Sequence, residues 1–315
     1  RLDVGEHEVA HRRAGDPPAD PGRQLAGAPP RQVHSAQRVA PLDEGGLGEQ
    51  QVDAVVHCAA KIIVPESVAE PLAYYENNVS KTITLLAALQ RNGIERFLFS
   101  SSASIYAPDE NFIVTEDSPL QPGSPYARTK FMVELILEDF TKASDVRVAS
   151  LRYFNPIGTD PKLRSGQQLE KPSHVLAKLL EAWSNKETFT VTGVDWPTRD
   201  GSGIRDFIHV WDLARAHVAA LEHFDEATAT DPYQVFNIGT GNGVTVKELA
   251  ASFEKITGDP LKVRFGDPRP GDVAGVYTVS TKAKDVLGWE AELTETDAVR
   301  DAIAWLPVRK EKLGY

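Results

Sequence analysis

Two short stretches of the chain carry the residue types that proton transfer requires. A serine-rich run at residues 99–106 is followed by Tyr126 at the start of an expected helix, with Lys130 four positions later. Side chains four residues apart project from one face of a helix. Tyrosine has a pKa near 10 and needs a shift of about three units to act as a base at neutral pH, which a nearby ammonium favours. We therefore select Ser102, Tyr126 and Lys130 as candidate catalytic residues, with the serine holding the oxygen that exchanges its proton.

Strand and helix signals alternate through most of the chain and place these residues where strands end and helices begin. Apolar runs of strand length at 52–60, 96–101 and 146–154 alternate with helical periodicity at 73–91 and 125–142. Such alternation predicts an α/β fold with a doubly wound parallel sheet. In these sheets, ligands bind at the carboxyl ends of the strands, which is where the serine-rich run falls.

The N-terminal part of the chain is abnormal in composition. Its first fifty residues contain no Ile, Phe, Tyr, Trp, Met, Lys, Asn or Thr and are rich in Arg, Ala, Gly, Gln and Pro. One interpretation is a disordered extension of low complexity. The other is translation of GC-rich DNA in a wrong reading frame. Either interpretation predicts that residues 1–51 do not contribute a normal strand and helix.

Bulk properties exclude several classes of protein. The net charge of −11 leaves no basic face for a nucleic acid, and the chain has no apolar run long enough to span a membrane. The single cysteine, Cys58, rules out an internal disulfide and fits a reducing cytoplasm. We expect a cytoplasmic enzyme without a metal site.

Taken together, the serine-rich strand end, Tyr126 and Lys130 resemble the Ser…Tyr-x-x-x-Lys signature of extended short-chain dehydrogenase/reductases. Within that superfamily, further stretches resemble UDP-glucose (UDP-galactose) 4-epimerases. The resemblance extends over about residues 52–305, and the stretches that carry it are 57–60, 66–68, 74–79, 152–158, 200–210 and 269–272.

This resemblance implies NAD as cofactor, a UDP-hexose substrate epimerised at C4 through a 4-keto intermediate, and a possible homodimer. It implies a Rossmann-like NAD domain (52–155 plus about 205–245) and a smaller C-terminal UDP-sugar domain (156–204 plus about 246–315). The implied cofactor contacts are Cys58, Ala59, Ala60, Asn78, Ser100, Tyr126, Lys130 and Tyr153. The implied substrate contacts are Ser102, Asn155, His174, Val175, Thr190, Thr192, Arg205, Arg269, Asp272 and Val276.

The residue types of the second group agree with a nucleoside diphosphate. Guanidinium groups form bidentate, charge-assisted bonds with phosphates, which suits Arg205 and Arg269. By resemblance, Asp272 holds the uridine ribose, and Thr190 lies on a strand that faces the uracil. Val276 falls at a position that borders the C2 substituent of the sugar, although a valine there is also a plausible core residue.

Two alternatives to an active epimerase remain, and Ala103 and Ser104 weigh against the first of them. Nucleotide-sugar 4,6-dehydratases and decarboxylases share this scaffold but use an extra acid beside the serine, where this chain has Ala103 and Ser104. The family's opening Gly-x-x-Gly-x-x-Gly loop, which receives the pyrophosphate, is absent, so an inactive, N-terminally damaged homologue is a further alternative. The glycine-rich residues 239–243 lack the spacing of such a loop and are predicted to form a turn.

Overall fold

The structure, a computed structural model, describes residues 52–107, 109–170, 172–269 and 272–314. The predictions for residues 1–51 lie outside these ranges. The strands are β1 (Val55–His57), β2 (Arg96–Ser100), β3 (Ile113–Val114), β4 (Arg147–Tyr153), β5 (Asn155–Ile157), β6 (Thr188–Thr192), β7 (Ile204–His209), β8 (Tyr233–Ile238), β9 (Gly243–Thr245), β10 (Lys262–Gly266) and β11 (Gly275–Thr278). The α-helices are α1 (Val64–Ala69), α2 (Pro71–Tyr75), α3 (Lys81–Arg91), α4 (Pro125–Ala143), α5 (Val175–Asn185), α6 (Val210–Glu222), α7 (Phe224–Ala227), α8 (Val246–Thr257), α9 (Lys282–Leu287) and α10 (Glu295–Leu313).

The central sheet is parallel and carries helices on both faces. In the described part of the chain its strand order is β1-β2-β4-β8. Alternate residues of β2 point to opposite faces: Phe97 and Phe99 pack against α3 and α4, whereas Leu98 packs against Leu213 and Ala216 of α6. This arrangement confirms the predicted α/β class with a doubly wound sheet.

A second group of elements is interleaved with the strands of the central sheet along the chain. Strands β6 and β10 pair in parallel, and β3, β11, β7 and β5 form another parallel set to which β9 is added antiparallel. Apolar side chains of α5, α8 and α10 share one core with Phe189 and Val191 of β6. The proposed boundaries between a cofactor domain and a substrate domain remain a prediction.

The strand ends that matter for function lie at one edge of the central sheet. Because β2 and β4 run parallel with Ser100 opposite Leu151, the residues that follow each strand emerge on the same side. The serine-rich run follows β2, and Asn155 follows β4 closely in the chain. No helix in the described ranges is long and apolar enough to cross a membrane.

Candidate active site

The start of α4 sets the positions of the two central candidates. The hydroxyl of Ser124 accepts a hydrogen bond from the backbone N–H of Ala127 at 3.2 Å, which caps the helix. Pro125 occupies the first helical position, where no N–H donor is needed. This local sequence therefore begins the helix immediately before Tyr126 and places Lys130 one turn later. Both side chains are buried, 7% and 2% exposed.

The side chain of Tyr126 interacts with Ser102, and this interaction favours the phenolate. Ser102 precedes a 3-10 turn at Ala103–Ile105, where its own hydroxyl accepts from the backbone N–H of Ser104 at 3.2 Å and donates to the hydroxyl of Ser104 at 3.0 Å. Burial raises the pKa of Tyr126, and the interaction with Ser102 opposes that rise only in part. The direction of this pKa shift is opposite to the one a base needs.

Lys130 is held beneath the strand end. Its Nζ donates a hydrogen bond of 2.7 Å to the carbonyl oxygen of Ser100 and lies 4.9 Å from the centroid of the Phe99 ring. Burial lowers the pKa of Lys130 to about 8, against the opposing influence of Cys58 and Glu134. The ammonium is therefore still largely protonated at neutral pH and is fixed in one position.

A buried ion pair that the sequence analysis did not select lies behind these groups. The guanidinium of Arg152 donates to the carboxylate of Glu134 at 2.6 Å and to the hydroxyl of Tyr106 at 2.8 Å. The hydroxyl of Ser101 donates to the same carboxylate. Glu134 follows Lys130 by four residues, so the helical spacing indicated that Glu134 lies on the same face of α4 as Tyr126 and Lys130. This network ties α4 to the ends of β2 and β4.

The loop after β1 is fixed by Asn78. The side-chain amide of Asn78 accepts from the backbone N–H of Lys61 at 2.8 Å and donates to its carbonyl at 2.9 Å. It also donates to the hydroxyl of Thr129 on α4 at 3.0 Å. Asn78, an implied cofactor contact, thus positions the loop that carries Cys58, Ala59 and Ala60.

Cys58 and Ser100 meet at the ends of the neighbouring strands β1 and β2. The exposed thiol of Cys58 lies 3.2 Å from the Ser100 hydroxyl, which lies 2.9 Å from Nε2 of His217. The ring of His217 is 6.5 Å from that of Tyr153, whose pKa is raised by burial. His217 was not predicted from the sequence, because an isolated histidine on an amphipathic helix gives no distinct signal of function.

Eight of the ten implied substrate contacts line one cavity of about 560 Å³. They come from five separate segments, and the cavity also borders Trp196 and Phe207. The eight are Asn155, His174, Val175, Thr190, Thr192, Arg205, Arg269 and Asp272.

The two arginines of this cavity are bound differently. Nη1 of Arg205 donates to the carbonyls of Ile204 and Ala274 at 2.7 and 2.6 Å, and burial lowers the pKa of this guanidinium, with Arg269 adding to the effect. Arg269 pairs with Asp272 through Nε at 3.0 Å. The two guanidiniums give the cavity positive charge, which the Asp272 carboxylate offsets in part, and the remaining charge favours an anion.

The other two implied substrate contacts lie apart from this cavity's lining. Ser102 interacts with Tyr126 as described above, and Val276 packs on a small buried cluster that includes Tyr106 and Phe154. Val276 therefore has the surroundings of a core residue next to the catalytic strand end.

Within the cavity, the hydroxyl of Thr190 accepts a hydrogen bond from Nε of Arg264 at 2.8 Å.

The described residues fit one half of a nicotinamide dinucleotide. A phenol, a buried ammonium and a serine hydroxyl converge at the end of β2, which is a donor set suited to a ribose and a nicotinamide. The described ranges offer no comparable cradle for the pyrophosphate. In the glycine-rich turn at 239–243, the backbone N–H groups of Thr240 and Gly241 donate instead to Asp206, at 2.7 and 3.2 Å. That turn is structural, as predicted.

Among the described residues, no group of three or more His, Cys, Asp or Glu side chains is placed to hold a metal ion. The parallel sheet, the Tyr126–Lys130 helix face and the anion-favouring cavity together define an α/β enzyme of the Ser-Tyr-Lys class that acts on a nucleotide. Residues 44–239 match the model of the NAD dependent epimerase/dehydratase family. The chain belongs to this family.

Known proteins agree with this assignment. The chain is 42% identical to a UDP-glucose 4-epimerase of Bacillus subtilis (strain 168), over 82% of this chain and 76% of that protein. It is 37% identical to a UDP-glucose 4-epimerase of Azospirillum brasilense, over 87% and 81% of the two chains. Among solved structures it is similar to the Stenotrophomonas maltophila UDP-glucose-4-epimerase with bound NAD and formylated UDP-arabinopyranose, with a TM-score of 0.79, 36% identity and coverage of 84% and 79%. The Bifidobacterium longum enzyme in complex with NAD+ and UDP gives a TM-score of 0.77, 36% identity and coverage of 85% and 79%.

Proposed function

We propose that the chain is an NAD-dependent isomerase that interconverts UDP-glucose and UDP-galactose at C4. The observation that carries the proposal is the placement of buried Tyr126 and Lys130 one helical turn apart at the start of α4, where Ser102 interacts with Tyr126. The neighbouring cavity supplies two guanidiniums and a carboxylate for a nucleoside diphosphate. Relatives that are UDP-glucose 4-epimerases over most of both chains support the same reaction.

In this mechanism Tyr126 exchanges a proton with the C4 hydroxyl, and Ser102 orients the oxygen that loses and regains it. Lys130 stabilises the phenolate electrostatically. NAD held at this strand end would supply reversible hydride acceptance at C4, so that the reaction involves no net oxidation. Arg205 and Arg269 hold the diphosphate, Asp272 the ribose, and the Thr190 strand the uracil, while the 4-keto sugar turns over in the site.

The alternative reactions of the scaffold have less support. A 4,6-dehydratase or decarboxylase requires an acid beside the serine, and the buried Ala103 at that place has no proton to give. An inactive homologue remains the other alternative, because the sequence lacks the pyrophosphate loop. Mass spectrometry of the cofactor released from the purified chain separates an epimerase from an inactive homologue.

The decisive experiment is the substitution Tyr126→Phe in a preparation that interconverts the two UDP-hexoses with added NAD. Loss of a positioned base costs about 10²- to 10⁴-fold in turnover, while UDP binding measured by calorimetry stays within twofold of the parent. Tyr75→Phe, on a partly buried tyrosine of the α3–α4 core, is the matched control and keeps parental turnover. Turnover of the Tyr126→Phe variant within threefold of the parent refutes the assignment.

The cellular setting is part of the same proposal. We place the protein in the cytoplasm because its single cysteine forms no internal disulfide. We also propose a homodimer, supported by the exposed apolar side chains Ile83, Met132 and Leu135 on α3 and α4. Light scattering after size-exclusion chromatography measures the mass directly. A mass of one chain at micromolar concentration contradicts the dimer.

A further inference from the structure

Three side chains from distant parts of the sequence form a hydrogen-bonded chain at the ends of β1 and β2. It begins at the thiol of Cys58 after β1, passes through the hydroxyl of Ser100 at the end of β2, and ends at the imidazole of His217 in α6. Cys58 is exposed, His217 is partly exposed, and Ser100 is 1% exposed. The cysteine end of the chain is therefore the end most open to a reagent from solvent.

The direction of these hydrogen bonds follows from the histidine. Nδ1 of His217 lies 2.8 Å from the carbonyl oxygen of Leu213, and a carbonyl can only accept, so Nδ1 carries a proton. In the neutral ring, Nε2 is then the acceptor for the Ser100 hydroxyl. The Ser100 hydroxyl can donate to the sulfur of Cys58 at 3.2 Å or to Nε2 of His217 at 2.9 Å. When its proton points to the nearer nitrogen, the Ser100 oxygen accepts from the thiol of Cys58.

This arrangement lets a proton leave the sulfur without crossing solvent. When Ser100 passes its proton to Nε2, it takes the thiol proton in exchange, and the result is a thiolate and an imidazolium separated by one hydroxyl. The direct distance from Sγ to Nε2 is 4.0 Å, close enough for the two charges to stabilise each other. The ammonium of Lys130, on the carbonyl of the same serine, adds a second positive charge near the sulfur.

The electrostatics of the separate groups agree with the geometry. The contact with His217 is the largest cause that lowers the pKa of Cys58, and it outweighs the opposing effect of burial. Burial pulls the pKa of His217 down, but the contacts with Cys58 and Leu213 outweigh it and leave the pKa raised. Both shifts favour the charge-separated pair, which is the state in which a cysteine reacts.

We propose that Cys58, Ser100 and His217 form a proton relay that makes Cys58 a modification site for small electrophiles such as alkyl halides and hydrogen peroxide. A group added to the sulfur occupies the face where the nicotinamide is expected. This second part rests on the proposed function, whereas the relay itself does not. The site thereby couples the chemical state of one thiol to cofactor binding.

The covalent step is a simple displacement. With iodoacetamide, the thiolate forms an S–C bond while the C–I bond breaks, and iodide leaves with the bonding electrons. With hydrogen peroxide, an S–O bond forms as the O–O bond breaks, and the departing hydroxide takes up a proton to become water. In both cases the proton of the thiol passes through Ser100 to His217.

The test measures alkylation of the full chain by iodoacetamide at pH 7, followed by mass spectrometry. Because the chain has a single cysteine, one adduct reports one site. The parent is expected to react on the order of fivefold faster than N-acetylcysteine, since a higher thiolate fraction is partly offset by lower nucleophilicity. The substitutions His217→Ala and Ser100→Ala are each expected to remove this gain and to move the inflection of the pH–rate profile upward.

Two further variants separate a relay from simple packing. In His217→Gln the amide oxygen still accepts the Ser100 proton but cannot keep it, so a relay predicts the slow rate and packing alone predicts the parental rate. His223→Ala is the matched control, because His223 is an exposed histidine at the end of the same helix, and it keeps the parental rate. Circular dichroism and thermal unfolding verify that each variant is folded. A parent no faster than N-acetylcysteine, or a fast His217→Gln variant, overturns the relay.

A separate experiment tests whether modification of Cys58 affects cofactor binding. Saturating NAD with UDP is expected to slow alkylation of the parent at least fivefold, and prior alkylation is expected to weaken NAD binding by a similar factor. If the relay variants behave as predicted but NAD gives no protection, the nicotinamide is not at Cys58, and the second part of the proposal is wrong while the relay stands.

Discussion

Burial favours the neutral forms of both Tyr126 and Lys130. Burial raises the pKa of the tyrosine and lowers that of the lysine to about 8, and both shifts disfavour the charged pair of phenolate and ammonium. Spacing alone predicted that the two would meet on one helix face, but it could not predict how dry their surroundings would be. Burial therefore opposes formation of the phenolate, and further positive charge beside Tyr126 would favour it.

We expect the buried imidazole of His57 to make the stability of the protein depend on pH. Its Nε2 donates to the hydroxyl of Thr82 at 3.0 Å, since that hydroxyl itself donates to the carbonyl of Asn78. Burial, together with the charge of Lys130, lowers the pKa of His57 from 6.5 to about 4. The folded state thus binds fewer protons than the unfolded state between these values, so stability is fully present above pH 6.5 and falls as the pH drops toward 4.

The measurement for His57 is urea unfolding of the parent and of His57→Gln at pH 7 and pH 4. The parent is expected to lose on the order of 3 kcal/mol more than the variant over this range, because glutamine has no proton to take up while all other groups titrate alike. His223→Gln, on an exposed histidine, is expected to behave as the parent does. Parallel losses in the parent and in His57→Gln contradict a neutral, buried His57.

At the scale of elements, the periodicity at 73–91 predicted one continuous helix, and the structure interrupts it. A π-helical turn, Glu76–Ser80, separates α2 from α3. A π-helical turn holds one residue more than an α-helical turn, and here it buries the side chains of Asn77 and Asn78. Asn78 then binds Lys61 and Thr129. The reason for the π turn lies in partners that are distant in sequence, so helical periodicity alone could not predict it.

The site shows the same division between local and distant causes. Tyr126 and Lys130 could be selected because they stand at a helix start marked by their own neighbours in sequence, and Asn155 because residues 152–158 resemble the family. The carbonyl contacts of Arg205 could not, because they depend on the pairing of β7 with β11. His217 belongs to the same class, since its contacts with Cys58 and Ser100 depend on the stacking of α6 against the sheet.

Gly275 lies where β11 approaches β7 closely. Its φ of +134° lies in a region that favours glycine, and a Cβ would fall 1.6 Å from the Ile204 carbonyl and 2.4 Å from Nη1 of Arg205. Gly275→Ala is therefore expected to displace the guanidinium and to weaken UDP binding about tenfold, with a loss of about 1–3 kcal/mol in stability. Calorimetry and urea unfolding provide the two measurements.

Gly123→Ala is the control for this experiment, because a Cβ at Gly123 meets no atom within 4 Å. It is expected to leave UDP binding unchanged and stability within about 0.5 kcal/mol of the parent. UDP binding by Gly275→Ala at the parental affinity would show that Arg205 does not depend on the β7–β11 approach.

For the molecule as a whole, the open question is how the cofactor's phosphates are held. In the described part of the chain, β1 pairs with β2 on one side only, and Val56 of β1 is 41% exposed. The family's fold has a strand, a glycine-rich loop and a helix that receive the pyrophosphate. The 315 residues contain no Gly-x-x-Gly-x-x-Gly sequence before β1, and the described residues beside the expected nicotinamide site supply no such loop.

We expect the 315-residue polypeptide to bind NAD weakly and a chain with a strand–Gly-x-x-Gly-x-x-Gly–helix unit placed before Val52 to bind it on the order of 100-fold more tightly. The gain comes from backbone N–H groups and the helix N-terminus, which together favour the pyrophosphate charge by a few kcal/mol. Fluorescence titration with NAD measures both affinities. The same added unit with its three glycines changed to valine separates phosphate binding from repair of the β1 edge, because valine side chains block the close approach of the phosphates while the added strand can still pair. If the 315-residue chain already retains about one NAD per chain after purification, other residues hold the phosphates and this prediction is wrong.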